Sequence, residues 1–269
     1  MNAVLPKAWM SWSTGKDSAW ALHVIRKQQQ QQQQVEIVAL LTTVNASAAR
    51  VAMHAVRQSL LDAQAAALGL PVVAVPIPSP CPNATYEQAM DAAISRARAE
   101  GVTHMVFGDL FLEDIRKYRE EKLASTGITP LFPLWGLDTR ALAQEMVELG
   151  LGAYVTCVDP SKLARSFAGR LFDAQFLSDL PNGVDPCGEN GEFHTYACRG
   201  PMFRAPILVE TGEVVERDGF VFADLLPASD RQRDRSLRRS TVGRLGRPGP
   251  PERQFPQVEL VQAKEQPGE

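Results

Sequence analysis

The sequence predicts an α/β protein, with a parallel sheet covered by helices on both faces and a smaller C-terminal α+β subdomain. Three observations carry this expectation. Short β-branched runs alternate with helical stretches through the first half of the 269 residues. The run VEIVALLTTV (35–44) is continuously apolar, as a strand buried on both faces must be. From about Phe203 to Leu226, short apolar runs are split by TGE and RDG, which suggests an antiparallel meander.

Taken in order, AWMSW (8–12) reads as a short strand, followed by a helix from about Lys16. After the apolar strand at 35–44, a long helix is expected from about Ala48 to Leu68. PVVAVPI (71–77) and THMVFGDL (103–110) read as strands, with a helix between them near 84–100. ITPLFPLW (128–135) is a Pro-punctuated connector, followed by a helix at about 138–149, the strand AYVTCVDP (153–160) and a short helix near 161–171. The expected division is a nucleotide-binding domain at 1–129, a substrate-side subdomain at 130–229 and an Arg/Pro-rich tail at 230–269. The tail has few apolar residues and reads as disordered. The glutamine run 28–34 extends the first helix into solvent.

Composition narrows the function classes. A formal net charge of −3 argues against nucleic acid as the main partner. The four cysteines lie far apart with no C-x-x-C pair, which reads as reduced thiols rather than a disulfide framework or zinc site. The N-terminus lacks the apolar core of a signal peptide, and no apolar run approaches the roughly 20 residues that span a bilayer. A soluble, cytoplasmic protein without membrane contact is expected. Composition does not speak to oligomeric state.

A parallel sheet binds ligands at the carboxyl ends of its strands. Ser13–Ser18, Thr42–Asn45 and Gly108-Asp109 all follow predicted strands and gather at one edge. In SWSTGKDSAW (11–20) a strand runs into a helix through Ser13, Thr14, Gly15, Lys16, Asp17 and Ser18. A helix N-terminus offers unpaired N–H groups and a positive dipole end to an anion. The spacing of a Walker loop is absent, and Asp17 stands where that loop has Ser or Thr. A carboxylate there suits a metal–pyrophosphate, with Asp17 holding Mg²⁺; as a plain structural residue it caps the helix.

In the segment CGENGEFHT (187–195), Asn190-Gly191 is a signal for a tight hairpin turn. That turn sets Glu189 and Glu192 on either side, with His194 a step further on. Two carboxylates and an imidazole could bind an amine, hold a second metal ion or deprotonate ammonium; a solvated hairpin is the plain alternative. Arg50, His54 and Arg57 share a face of the predicted helix and could meet a carboxylate or phosphate.

The loop S-T-G-K-D-S (13–18) resembles the S-G-G-x-D-S loop of the adenine nucleotide α-hydrolase-like, or PP-loop ATP pyrophosphatase, superfamily, with Thr14 in place of a glycine. Thr42–Asn45, the Arg50–Arg57 segment, Leu60–Pro71, Gly108-Asp109 with Arg116 and Arg119, Pro133-Leu134-Trp135 and Pro186–Thr195 look like its diphthine–ammonia ligase branch. His194 departs from that branch, which usually carries an acidic residue there. The resemblance implies a Rossmann-like (HUP-type) fold and an AMP-forming ligase that uses ATP and Mg²⁺ to adenylate a carboxylate, then amidates it with ammonia. Lys16, Asp17, Glu189 and Glu192 are the implied catalytic residues. Ser13–Ser18, Thr43, Gly108 and Asp109 are the nucleotide side; Arg50, His54, Glu189, Asn190, Glu192 and His194 are the acceptor side. The acceptor is protein-borne diphthine or a small carboxylate. Two rivals remain at this point: a tRNA-modifying PP-loop thiolase, and an ATP-binding sensor without turnover.

Overall fold

The structure is a computed structural model that describes residues 5–32, 35–45, 50–51 and 56–228. His54, the end of the glutamine run and the tail beyond residue 228 lie outside the described residues. The first sheet comprises β1 (Lys7–Ser11), β2 (Glu36–Asn45), β3 (Arg50–Val51), β4 (Val72–Ile77), β5 (Val102–Val106) and β6 (Thr129–Leu131). Strand β1 lies at its centre, parallel to β2 on one side and to β5 on the other. Strand β4 extends the sheet beyond β2, and β6 extends it beyond β5, both in parallel. Burial of β1 on both faces explains its composition: Trp9 enters one apolar cluster, while Ala8 and Met10 enter the other.

Helices cover both faces. α1 (Lys16–Gln32) and α2 (Gln58–Leu68) supply the cluster around Ala8 and Met10; α3 (Asn83–Ala99) and α4 (Glu113–Leu123) supply the one around Trp9. Helix α1 runs into the glutamine tract as far as Gln32. Among the described residues, no helix is long and apolar enough to cross a membrane.

The second sheet is antiparallel, in the order β8-β7-β10-β9, with β7 (Gly152–Val158), β8 (Phe193–Arg199), β9 (Val209–Arg217) and β10 (Phe220–Pro227). It packs against α1 and α2, so one continuous apolar cluster runs from Ala8 and Leu60 to Val155, Tyr196 and Leu225. The Tyr196 hydroxyl crosses this cluster to donate to the Leu60 carbonyl at 2.9 Å. α5 (Thr139–Glu148) and α6 (Ala174–Asp179) start at Asp138 and Asp173, whose carboxylates accept from Ala141 N and Phe176 N.

Several sequence expectations need correction. The helix expected from about Ala48 is absent at Arg50, Val51, Val56 and Arg57: Arg50 pairs with Asn45 in β3, Arg50 bridges Arg57, and α2 begins only at Gln58. The β-branched Val51 and Val56 close this short ladder through the bond from Val51 N to Val56 O at 2.8 Å. The proline-punctuated connector contains β6, because Pro130 sits on a sheet edge that needs no N–H there. Helix α4 was not anticipated, since its mean composition is strongly polar and it shows almost no apolar face. The stretch 161–171 holds only a 3₁₀ turn at Arg165–Phe167, and TGE (211–213) lies inside β9 instead of interrupting it.

Parallel pairing brings the ends of β1, β2 and β5 to one edge, where Gly108 meets the first turn of α1. A Cβ on Gly108 would sit 2.9 Å from the carbonyl carbon of Asp17 and 2.9 Å from the amide nitrogen of Ser18. Those atoms are helix backbone and cannot step aside. Gly108→Ala is therefore expected to destabilise the fold by about 1–3 kcal/mol, through overpacking. Urea unfolding of the two proteins side by side checks this; an unchanged midpoint contradicts the close approach.

Candidate active site

The loop after β1 is held from two directions. On its own side, Ser13 Oγ accepts from Gly15 N at 3.3 Å and lies 3.2 Å from Ser18 Oγ, which donates to the Gly15 carbonyl at 3.0 Å. From the second sheet, Thr195 Oγ1 accepts from Lys16 N at 3.1 Å, and Ala197 N donates to the Thr14 carbonyl at 2.9 Å. Thr14 has φ 71°, in the left-handed region that suits glycine and strains a β-branched residue. Its side chain is completely buried. The replacement of the loop's glycine by Thr14 is therefore a conformational change as well as an added side chain.

Lys16 does not project into solvent from the helix start. Its ammonium is buried, paired with both oxygens of Asp17 at 2.9 and 2.7 Å and bonded to the Cys187 carbonyl. The Phe193 and Phe172 rings lie 5.4 and 5.7 Å from it, a cation–π arrangement in a desolvated place. Burial alone pulls the ammonium's pKa down, but Asp17, Cys187 and Glu189 carry it above the ordinary lysine value. Asp17 is the open member of the pair, with 26% of its side chain exposed against 2% for Lys16.

The segment before β8 is a compact turn rather than a hairpin. It enters a single strand at Phe193, and Asp185, which sequence reading passed over, organises it. The Asp185 carboxylate accepts from Cys187 N at 3.1 Å and Glu189 N at 2.9 Å. Gly188 has φ 70°, and a Cβ there would lie 2.8 Å from the Phe193 carbonyl. Glu192 is buried, and its Oε1 accepts from Asp185 N at 2.9 Å and Asn190 Nδ2 at 3.2 Å. Its Oε2 is buried without a hydrogen-bond partner among the described residues. Asn190 is exposed and accepts from Lys162 Nζ at 2.8 Å.

Glu189 reaches across to the first sheet, where its Oε1 accepts from Leu110 N at 2.8 Å. Burial raises its pKa to about 7, the Leu110 bond opposes the rise, and the Asp17 and Asp109 charges add to it. Burial, with the Lys16 charge second, pulls His194 down to about 4, so its imidazole is neutral at neutral pH. Burial pushes the Cys187 thiol up, which leaves it a protonated, unreactive neighbour of Lys16.

At the same edge, a cavity of about 270 Å³ opens between the strand ends and helices α3 and α4. Ser13 and Thr43 line it, as do Met105 and Phe107 at the end of β5 and Tyr86 and Met90 on α3. Asp109 does not line it but grips Arg119, which does, through two bonds at 2.6 and 3.1 Å. The Arg119 guanidinium lies 4.4 Å from the Phe107 ring centroid. The α3 and α4 contributors were missed because only the fold brings them to the strand ends; the apolar spacing of Met90 and Ile94 was their one signal. Arg50 and Arg57 do not share a helical face: Arg50 lies in β3, Arg57 precedes α2, and both bind Asp224 of β10. Among the described residues, no group of three or more His, Cys, Asp or Glu is placed to hold a metal. Asp17 is the one carboxylate of the 13–18 loop, partly exposed, with both oxygens engaged by Lys16.

A parallel sheet with an S-T-G-K-D-S loop between its central strand and first helix, and a cavity at its strand ends, defines an α/β protein of the PP-loop type. The chain belongs to the diphthamide synthase family: it matches the model of the diphthamide synthase N-terminal domain over residues 6–129 and that of the C-terminal domain over residues 138–223. It is 34% identical to diphthine–ammonia ligase of Danio rerio over 119 residues, which cover 42% of this chain and 46% of that protein. For the enzyme of Bos taurus the figure is 31% over 122 residues, 42% of this chain and 44% of that protein. For that of Homo sapiens it is 30% over 122 residues, with the same coverage of 42% and 44%. The chain thus spans less than half the length of these curated relatives.

Glu189 generates a pH prediction. Its folded pKa of about 7 exceeds the ordinary 4.5, so the folded state keeps a proton that the unfolded state has released between those values. The stabilising contribution is present below pH 4.5 and is lost as pH rises through 7. The stability difference between wild type and Glu189→Gln, from urea unfolding at a series of pH values, should move against wild type across that window. A pH-independent difference would contradict the raised pKa.

Proposed function

We propose that this protein is an AMP-forming amide ligase that adenylates a carboxylate with ATP and then amidates it with ammonia. One observation carries the reading. The helix start after β1, which can receive pyrophosphate, faces the Cys187–Thr195 turn directly, so nucleotide and acceptor chemistry would share one seam. Family membership and the names of the relatives support it, and those names support diphthine as the acceptor; a small carboxylate is the alternative.

In this reading the cavity beside Thr43 and Phe107 receives adenosine, with its apolar floor against the base and Arg119 at its mouth. The Asp109 carboxylate fixes the Arg119 fork. Backbone N–H groups of the Ser13–Ser18 loop, with the dipole of α1 behind them, take the charge that develops as pyrophosphate leaves. Asp17 would hold Mg²⁺, which neutralises phosphate charge when bound. Lys16 keeps a positive charge between loop and turn whatever the ligand state.

The substrate carboxylate oxygen attacks the α-phosphorus and the bond to the β-phosphate oxygen breaks, giving an acyl-adenylate and pyrophosphate. Ammonia then attacks the acyl carbon and AMP departs. The proton released by the amine needs an acceptor whose pKa is near neutrality, and Glu189 meets that requirement. Glu192 acts through the turn, by fixing Asp185 and Asn190, and His194 contributes a neutral wall. The domain reading accompanies this one, with 1–129 holding the nucleotide and 130–229 the acceptor side.

Phosphorus NMR with Mg-ATP, ammonium and a small-molecule extract or a diphthine-bearing protein tests the proposal. AMP and pyrophosphate are the expected products; ADP and phosphate would overturn it. Asp17→Asn should lower the rate at least about 100-fold. Because the variant leaves the buried Lys16 without its carboxylate, it should also melt earlier, so rates must be compared per folded molecule.

A further inference from the structure

We propose that Gln64 is the positioning residue of the nucleotide loop, holding Thr14 in its strained conformation so that ATP affinity depends on a side chain that touches no ligand. The inference rests on the reading of Ser13–Ser18 as the pyrophosphate site.

Gln64 is fully buried in α2, on the stripe that also buries Leu60, Leu61 and Leu68. An amide has two donors and an acceptor to satisfy, and burial makes each one obligatory. Its Oε1 accepts from the Trp12 indole N–H at 2.8 Å. Its Nε2 donates to the Thr14 carbonyl at 2.9 Å and to the Ala197 carbonyl at 2.6 Å. The orientation is forced, because indole nitrogen only donates and backbone carbonyls only accept. Both donors and the acceptor of the amide are thus used on the end of β1, the loop and the edge of β8.

Thr14 needs such a hold. A β-branched residue at φ 71° persists only where its surroundings over-determine it. Its own hydroxyl does not help, since Oγ1 is buried without a hydrogen-bond partner among the described residues. What fixes the residue is its carbonyl, gripped by Gln64 Nε2 and by Ala197 N, also at 2.9 Å. Removing one grip lets the peptide between Thr14 and Gly15 relax towards an ordinary geometry, and the N–H groups of the loop turn with it.

The test is a mutant cycle of wild type, Gln64→Met, Thr14→Gly and the double variant. Methionine matches glutamine in length and volume but donates nothing. Affinity for Mg-ATP is read by calorimetry, and amide hydrogen exchange is followed at Gly15–Ser18. Gln64→Met should weaken Mg-ATP about tenfold and speed loop exchange in the Thr14 background. In the Thr14→Gly background the same substitution should change affinity less than about twofold and leave exchange unchanged, because glycine adopts the left-handed angle freely. Equal losses in both backgrounds, or none in either, would overturn the proposal. A wild type that binds no Mg-ATP would remove the ATP reading, while the exchange cycle would still decide Gln64's hold on the loop. Should Gln64→Met not fold, the double variant decides: restored folding supports the proposal, and continued failure sinks it.

Discussion

A buried seam of hydrogen bonds joins the loop after β1 to the edge of β8, and the positions of the other site residues follow from it. An edge strand presents backbone groups that must find partners once water is excluded. Here the partners are the Thr14 carbonyl and the Gln64 amide, while the Thr195 hydroxyl receives the Lys16 amide from the other side. Each bond satisfies one group from each half of the chain. Losing one would leave a buried orphan, a cost of about 1–3 kcal/mol. The two sheets are therefore set to each other at the place where a ligand would bind.

The charges across the seam follow from this closeness. Lys16 is sealed between Phe172, Phe193 and the Cys187 carbonyl, and its neutralisation falls to Asp17, next to it in sequence. The negative groups are graded by their partners. Asp109 is spent on Arg119, Asp17 on Lys16, and Glu189 has a single backbone donor to support its charge. Burial raises the pKa of Glu189 into the neutral range, and it raises that of Asp17 as well, against the opposing pull of Lys16. Both carboxylates lie at the loop, where the charge of Lys16 faces them.

Strands β1, β2, β4, β5 and β7 and helices α1, α3 and α5 were legible because their apolar periods differ and their boundaries carry Gly, Pro or Asp. The loop at 13–18 was legible because chemistry-bearing residues at a strand–helix junction are rarely accidental. The pairing of Arg50 and Val51 with β2 was not, since Arg and Val fit a helix as well as a ladder, and the partner strand decided the matter. Glu192 reads in the sequence as an acceptor-side carboxylate flanking an Asn190-Gly191 hairpin, or a solvated one; only the turn's closure around Asp185 buries it and points it inward. Gln64 carried a faint signal, a lone amide on an otherwise apolar helical stripe. Its meaning came from Ala197, a residue 133 positions away with no side-chain chemistry of its own.

That separation along the chain has a consequence for how the protein is made. The Lys16 amide finds its Thr195 partner 179 residues later, so the ribosome releases the loop long before the strand that shapes it. The parallel sheet through β6 needs nothing beyond Leu131 for its own pairing, and domains can fold as they emerge. During synthesis, then, the strands of the first sheet emerge before the strand that completes the loop, while the apolar cluster they share with the second sheet waits for the rest of the chain. The site is completed late, when both halves of the protein are present to use it.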